Sequence, residues 1–219
     1  MARYVLEKMF DTQVELSANV KAVANMFGLG VRRDRAMKVL DKCQIDIEQG
    51  QVVYITGGSG AGKSLLLKLL KEQLGNVVDP ADQPLDQDKP VVDCFGQSSL
   101  TEALGWLSEA GLSDAFAILR SPGQLSDGQQ YRFRLALALA QRPRVICIDE
   151  FCAALDRVTA AVVAHNVRKF ADRFSTTFIV ATSHDDLLED LCPDVVVVKH
   201  LGSGCDVYYP GTGVGFDGR

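Results

Sequence analysis

Residues Ile55 to Leu65 read Ile-Thr-Gly-Gly-Ser-Gly-Ala-Gly-Lys-Ser-Leu, and Gly57, Gly62, Lys63 and Ser64 satisfy the spacing G-x-x-x-x-G-K-[ST]. No other stretch constrains the fold as strongly. A loop whose successive backbone N–H groups wrap an anionic phosphate chain belongs between the end of a strand and the start of a helix. The residues that make up the candidate cradle are Gly57, Gly58, Ser59, Gly60, Ala61, Gly62, Lys63 and Ser64. Glycines there permit approach distances that a Cβ blocks, Lys63 supplies a point charge for β and γ phosphates, and Ser64 offers a hydroxyl to Mg²⁺. The flanks agree. Val52-Val53-Tyr54-Ile55 reads as a buried strand, and Leu65 to Leu74 interleaves Leu and Lys as a helix whose positive N-terminal end faces the phosphates. The bland alternative is a Gly-rich turn that binds nothing, and the strand–loop–helix context weighs against it.

A length of 219 residues suits one α/β domain. A net charge of −5 excludes a global attraction for nucleic acid or for an anionic membrane surface. Arg32, Arg33 and Arg35 form the only dense basic cluster and read as a solvated loop. Cys43, Cys94, Cys147, Cys152, Cys192 and Cys205 show no C-x-x-C pair and no zinc-ligand spacing, so reduced thiols in a cytoplasmic protein are expected. No segment has the length of a transmembrane helix, and Glu7 and Asp11 interrupt what a signal peptide would keep apolar. Direct membrane insertion is therefore not expected.

Tyr4 to Leu16 alternates weakly, with Val5, Met9, Val14 and Leu16, as one or two edge strands. Ser17 is placed to cap a short helix through Met26, ended by Gly28 and Gly30. Ala36 to Asp46 leads in hairpin fashion through Glu48-Gln49-Gly50 into the strand before the glycine loop. Asn76 to Pro90 reads as a surface loop, Val91 to Gln97 as a short strand, and Leu100 to Ala110 and Leu112 to Leu119 as helices packed through Leu104, Trp106 and Leu107. The tail from Pro210 to Arg219 is expected to be mobile.

Three further stretches carry chemistry. Gln124 to Gln130 enters the helix Tyr131 to Ala140, and Ser126 with Gln129 stands in capping-box spacing, which by itself would explain both residues. Arg144 to Glu150 is an apolar strand ending in Asp149, suited to holding Mg²⁺ through its water shell, and Glu150, suited to orienting and deprotonating a water. A solvated strand end is the bland alternative. Ala154-Leu155-Asp156 opens the helix Val158 to Phe174, and Phe178 to His184 is a buried strand whose final histidine would share the sheet edge of the glycine loop. Val195 to Val198 and Val207 to Tyr209 read as terminal strands.

In this order the motifs resemble the ATP-binding cassette (ABC) ATPase family, over nearly the whole chain from about Val39 to His200. Residues 57–64 match its Walker A loop, Gln97 its Q-loop glutamine, Leu125, Ser126, Gly128 and Gln129 (in LSDGQ) its signature, and residues 145–150 its Walker B strand with the catalytic glutamate. Asp156 matches the D-loop and His184 the switch histidine. The resemblance implies an α/β P-loop NTPase fold, an ABC-type nucleotide-binding domain with a mostly parallel central sheet, an N-terminal antiparallel β part and a reduced helical signature subdomain. It divides a single domain into a β-rich lead-in (1–50), a P-loop core (51–97 and 141–209), a signature subdomain (98–140) and a tail (210–219).

It also implies an Mg²⁺-dependent ATPase. Ser64, Gln97 and Asp149 would hold the metal, Lys63, Gln97, Glu150 and His184 would serve catalysis, and Ser126 and Gly128 of one chain would complete the γ-phosphate site of another. A closed site then requires a homodimer or a second cassette. Two departures stand out. Where the family carries an aromatic residue that stacks on adenine, this chain has Arg33, Asp34 and Arg35, with Phe27 the nearest ring, so that an arginine plane is an alternative. The span from Gln97 to Ser126 is short for a transporter cassette. It favours a soluble, stand-alone mechanochemical or regulatory role, with a transporter subunit served by a separate permease as the alternative and nucleic-acid processing a weaker third.

Overall fold

The computed structural model describes residues 1–13, 17–28, 34–183 and 186–210. Val14 and Leu16 of the first alternation, Gly30, Arg32 and Arg33, the histidine at 184 and the tail beyond Pro210 lie outside the described residues.

The strand β3 (Val52–Thr56) runs between β5 (Thr177–Ala181) and β6 (Val195–Lys199), in the sheet order β4-β5-β3-β6-β7. The first four of these strands are parallel, with β4 spanning Val145–Ile148, and only the edge strand β7 (Cys205–Tyr208) is antiparallel. A parallel sheet covered on both faces needs strands without polar alternation, and all five residues of β3 and of β5 are buried. Their side chains divide by parity. Val52, Tyr54, Phe178 and Val180 enter one core, together with residues of α3 (Leu100–Glu109), α5 (Asp127–Ala140) and α6 (Arg157–Phe174). Val53, Ile55, Ile179 and Ala181 enter the other, against α2 (Lys63–Leu74) and the N-terminal strands.

Those N-terminal strands, β1 (Ala2–Gln13) and β2 (Asp34–Ile47), form one long antiparallel pair with irregular register between Leu6 and Met9. Between them lies α1 (Ala18–Met26), capped as the sequence suggests by the Ser17 hydroxyl, which accepts from the Val20 amide at 3.2 Å. In the first core Phe170 meets Phe178 edge to face at 6.0 Å and also touches Trp106 and Phe174.

Four expectations are corrected. Residues 91–97 do not form a strand. Val91–Phe95 is a 3₁₀ turn, because Pro90 precedes it, the Val91 amide is committed to the Arg120 carbonyl, and the place beside β4 is already filled. Val78, in the stretch read as a surface loop, fills it by exchanging backbone hydrogen bonds of 3.0 Å with Val145 and Cys147. The helix expected over 112–119 shrinks to α4 (Ala115–Ile118), capped by Asp114, and Leu104 is 41% exposed while Ala103, Trp106 and Leu107 do the packing. Finally, Cys43 of β2 and Cys205 of β7 form a disulfide in place of two free thiols. The partners are 162 positions apart, and the fold alone brings their Cα atoms to 5.9 Å.

The chain leaves β3 through Gly57, where φ is +143° and a Cβ would lie 2.1 Å from the Lys199 carbonyl oxygen. Gly60 has φ +73° but nothing within 4 Å of a Cβ. Gly57→Ala is therefore expected to lose about 3 kcal/mol of stability and Gly60→Ala about 1 kcal/mol. Urea titration of the two variants measures this, and equal midpoints would contradict the close seat of the loop on β6. Phe170→Ala should lose about 3–5 kcal/mol in the same titration, whereas Phe116→Ala, at a ring 76% exposed, should stay within about 0.5 kcal/mol of the parent.

Candidate active site

The loop after β3 turns back on itself. The Ala61 amide bonds the Gly58 carbonyl at 3.1 Å, and Lys63 Nζ donates to the carbonyls of Gly57 at 2.7 Å and Gly58 at 3.1 Å. Its ammonium is thereby held over the mouth of the loop. The helix that follows, α2, has no side-chain cap at its start. Its first-turn N–H groups and its positive end are thus directed at an anion, as a phosphate cradle requires.

On the far wall stand the two carboxylates at the exit of β4. Asp149 Oδ1 accepts from the Glu150 amide at 3.0 Å, and Glu150 itself takes a left-handed backbone, φ 49°. The turn is pinned behind them. The Phe151 amide donates to the Ala181 carbonyl at 2.8 Å with its ring fully buried, and the Cys152 amide donates to the Tyr131 hydroxyl at 3.0 Å. Burial raises the Tyr131 hydroxyl well above its ordinary pKa and pushes the Cys152 thiol up to about 12, so both stay neutral anchors and neither acts as a nucleophile.

Ser59, Gly60, Gly62, Lys63, Ser64, Asp149 and Glu150 line one cavity of about 360 Å³. Ala153, Ala181, Thr182 and Ser183 complete its wall and were not singled out by the sequence, although their position after β5 and after the two carboxylates is the signal that could have found them. Ser64 and Asp149 present oxygen donors to the same space, and among the described residues no group of three His, Cys, Asp or Glu could hold a metal unaided. Such a set fits Mg²⁺, which takes few protein ligands and completes its octahedron with water and phosphate oxygens. Gln97 is not among these residues. It lines a separate hollow of about 670 Å³ with Gln83, Asp86, Lys89 and Gln141.

The LSDGQ residues lie elsewhere again. Leu125 is buried in the core, and Ser126 caps α5 in a complete capping box, its Oγ accepting from the Gln129 amide at 3.4 Å while Gln129 Oε1 accepts from the Ser126 amide at 3.0 Å. A Cβ on Gly128 would lie 3.1 Å from the Ala154 carbonyl, so the first turn of α5 rests on the turn that follows the two carboxylates. Arg132 braces it, donating from Nε to the Gly128 carbonyl and from a terminal nitrogen to the Gly111 carbonyl. Asp156 caps α6, where hydrogen bonds from the Thr159 hydroxyl at 2.6 Å and amide at 3.0 Å hold its carboxyl below the usual carboxylate range. Of the candidate histidine only the neighbourhood is described: Asp186, two residues on, pairs with Arg157 at 2.6 Å.

Residues 45–191 match the family model described as AAA domain. The methionine import ATP-binding protein MetN of Xylella fastidiosa is 27% identical over 75% of this chain and 59% of its own length. The spermidine/putrescine import ATP-binding protein PotA of Marinobacter nauticus is 26% identical over 78% of this chain and 55% of its own. The chain thus spans less than six-tenths of the length of these curated relatives. Among solved structures, a dimeric post-hydrolysis ATP-binding cassette bound to ADP and phosphate superposes with a TM-score of 0.67 at 19% identity, covering 95% of this chain and 98% of that one. The cassette cbiO1 of Clostridium perfringens superposes with a TM-score of 0.60 at 21% identity, covering 80% and 83%. With its glycine loop seated between β3 and α2 and its carboxylates at the exit of β4, the chain belongs to the AAA-domain family and has the fold of an ATP-binding cassette.

Proposed function

We propose that this cassette hydrolyses Mg-ATP in a head-to-tail dimer and drives a separate membrane permease. One observation carries the dimer: the cavity lined by Lys63, Ser64, Asp149 and Glu150 includes none of residues 125–129, while Ser126 is exposed at the start of α5. A site needing both motifs is completed by the Ser126 and Gly128 of a second chain. In that site Lys63 and the uncapped start of α2 neutralise the phosphate oxygens, and Glu150 orients the attacking water and takes its proton. Ser64 and Asp149 would hold Mg²⁺, which when bound would supply charge neutralisation for the phosphates. Gln97 reaches the site by movement of its turn on closure, and His184 steadies the γ-phosphate. Residues 98–140 act as the signature subdomain, and Asp156 belongs to the surface between the chains.

The permease reading draws on the relatives, which are named as ATP-binding proteins for import of methionine and of polyamines. It also draws on Leu100, Leu104, Phe116 and Leu119, large apolar side chains exposed on and beside α3 and α4. The soluble mechanochemical role expected from the short subdomain keeps only that shortness in its favour. Tagged protein purified from its native cells in mild detergent is expected to carry a polytopic membrane protein, lost on Phe116→Asp; recovery of the cassette alone from both would contradict the permease.

Glu150→Gln is expected to keep ATP binding, lose turnover by about 10²-fold or more, and run as an ATP-dependent dimer in light scattering. A monomer with and without Mg-ATP would count against the shared site. Ser126 gives an independent check. As a mere cap it should tolerate Asp and Asn alike, since both cap helices as well as Ser. Facing a γ-phosphate, Asp should abolish hydrolysis and Asn should not, and mixing Ser126→Asp with Lys63→Ala chains should restore part of the activity that each lacks alone.

A further inference from the structure

We propose that the Cys43–Cys205 disulfide is a reversible thiol modification site whose redox state sets the affinity of the glycine loop for nucleotide. This rests on the reading of residues 57–64 as the ATP cradle. The path is short and contiguous. Cys205 is the first residue of β7, and its register partner on β6 is Lys199. The carbonyl of Lys199 is the group on which Gly57 is seated, and its side chain reaches under the loop, with Cε 3.8 Å from where a Cβ on Gly62 would be. The Gly57 carbonyl in turn receives Lys63 Nζ at 2.7 Å. A displacement of the β6–β7 turn is thus passed through two backbone contacts to the lysine that meets the phosphates.

That turn is also held by noncovalent contacts. Lys199 is 1% exposed, and its ammonium donates to the carbonyls of His200 at 2.7 Å and Gly202 at 2.6 Å. Neither contact is to a carboxylate, and desolvation lowers the pKa of the lysine. From outside, the Asp41 amide of β2 donates to the Ser203 carbonyl at 2.9 Å, and His200 meets Asp206 at 2.8 Å on the surface. The disulfide is the covalent member of this set. It ties β2, whose Val39 also approaches Gly62, to the start of β7.

Cys205 is partly exposed and Cys43 is buried, so the accessible sulfur belongs to the β7 side. A dithiol reductant attacks Cys205 Sγ as a thiolate and expels Cys43 as a thiolate, which takes a proton. The second thiol of the reductant then displaces Cys205 from the mixed disulfide. Two electrons pass to the protein, two cysteine thiols form, and the reductant leaves as its cyclic disulfide. In the reduced form the turn at 200–204 is held by hydrogen bonds alone, and Lys63 is less well positioned.

The test is titration of ATP into the oxidised protein and into protein reduced with dithiothreitol and alkylated, with thiols counted to show that the bond has opened. Reduction is expected to weaken ATP about fivefold or more, the low end of coupling between two sites. The Cys43→Val/Cys205→Ala variant should match the reduced form and ignore the reductant. Hydrogen exchange on the unaltered protein gives a second reading: amides of residues 57–63 and 199–206 should exchange faster after reduction, with those of β5 unchanged. Equal affinities with the bond open would overturn the proposal and leave the nucleotide site intact. Loss of the whole fold on reduction would also overturn it, by making the disulfide a global staple. Failure of both forms to bind ATP would overturn the nucleotide reading as well.

Discussion

The seat of Gly57 on the Lys199 carbonyl is the contact on which the rest of the site depends. Parallel pairing of β3 with β6, Thr56 opposite Val198, sends the chain leaving β3 directly across the end of its neighbour. Only a residue without a side chain passes there, since a Cβ would sit 2.1 Å from an oxygen. The loop that results is short enough for Lys63 to bond back to its own first carbonyls, and α2 begins where the loop ends. Beneath it the sheet supports the geometry by dividing its side chains between two cores, so the helical layer and the N-terminal strands grip β3 from opposite faces.

Local chemistry was readable from the sequence, and long-range pairing was not. Strand, loop and helix around residues 52–74 were legible because glycine placement, apolar run and helix composition all pointed to one geometry. The carboxylates at 149 and 150 and the caps at Ser17 and Ser126 were legible for the same reason, each being decided within a few residues. Val78 was not. Val77 and Val78 are followed by a polar stretch with three prolines, and only the fold shows that Val78 docks beside β4, displacing the strand expected at 91–97. The Cys43–Cys205 bond depends on β2 and β7 meeting across the molecule. Tyr131 likewise lies 21 positions from the Cys152 amide that it holds, and no spacing rule connects them.

Ser126 illustrates why a structural explanation need not displace a functional one. Its Oγ accepts from the Gln129 amide, as a helix cap should. A hydroxyl, however, has one donor and two acceptor lone pairs, so capping uses a lone pair and leaves the proton for an anion. Asp156 differs in kind. Its carboxylate has only acceptors, and the Thr159 hydroxyl and amide bond one oxygen each. One motif residue therefore keeps capacity to donate to phosphate, while the other is suited to receiving donors.

The left-handed backbone at Glu150 sets stability against the chemistry proposed for it at a single position. A side chain there carries a strain of about 1–2 kcal/mol that glycine would not. In a library sorted only for folded, protease-resistant protein, position 150 should therefore drift toward glycine, with asparagine behind it. A library sorted for growth that depends on turnover should hold glutamate against that drift. The divergence between the two sorted populations at this codon would measure how strongly the proposed reaction, as distinct from the fold, demands a carboxylate where the backbone favours glycine.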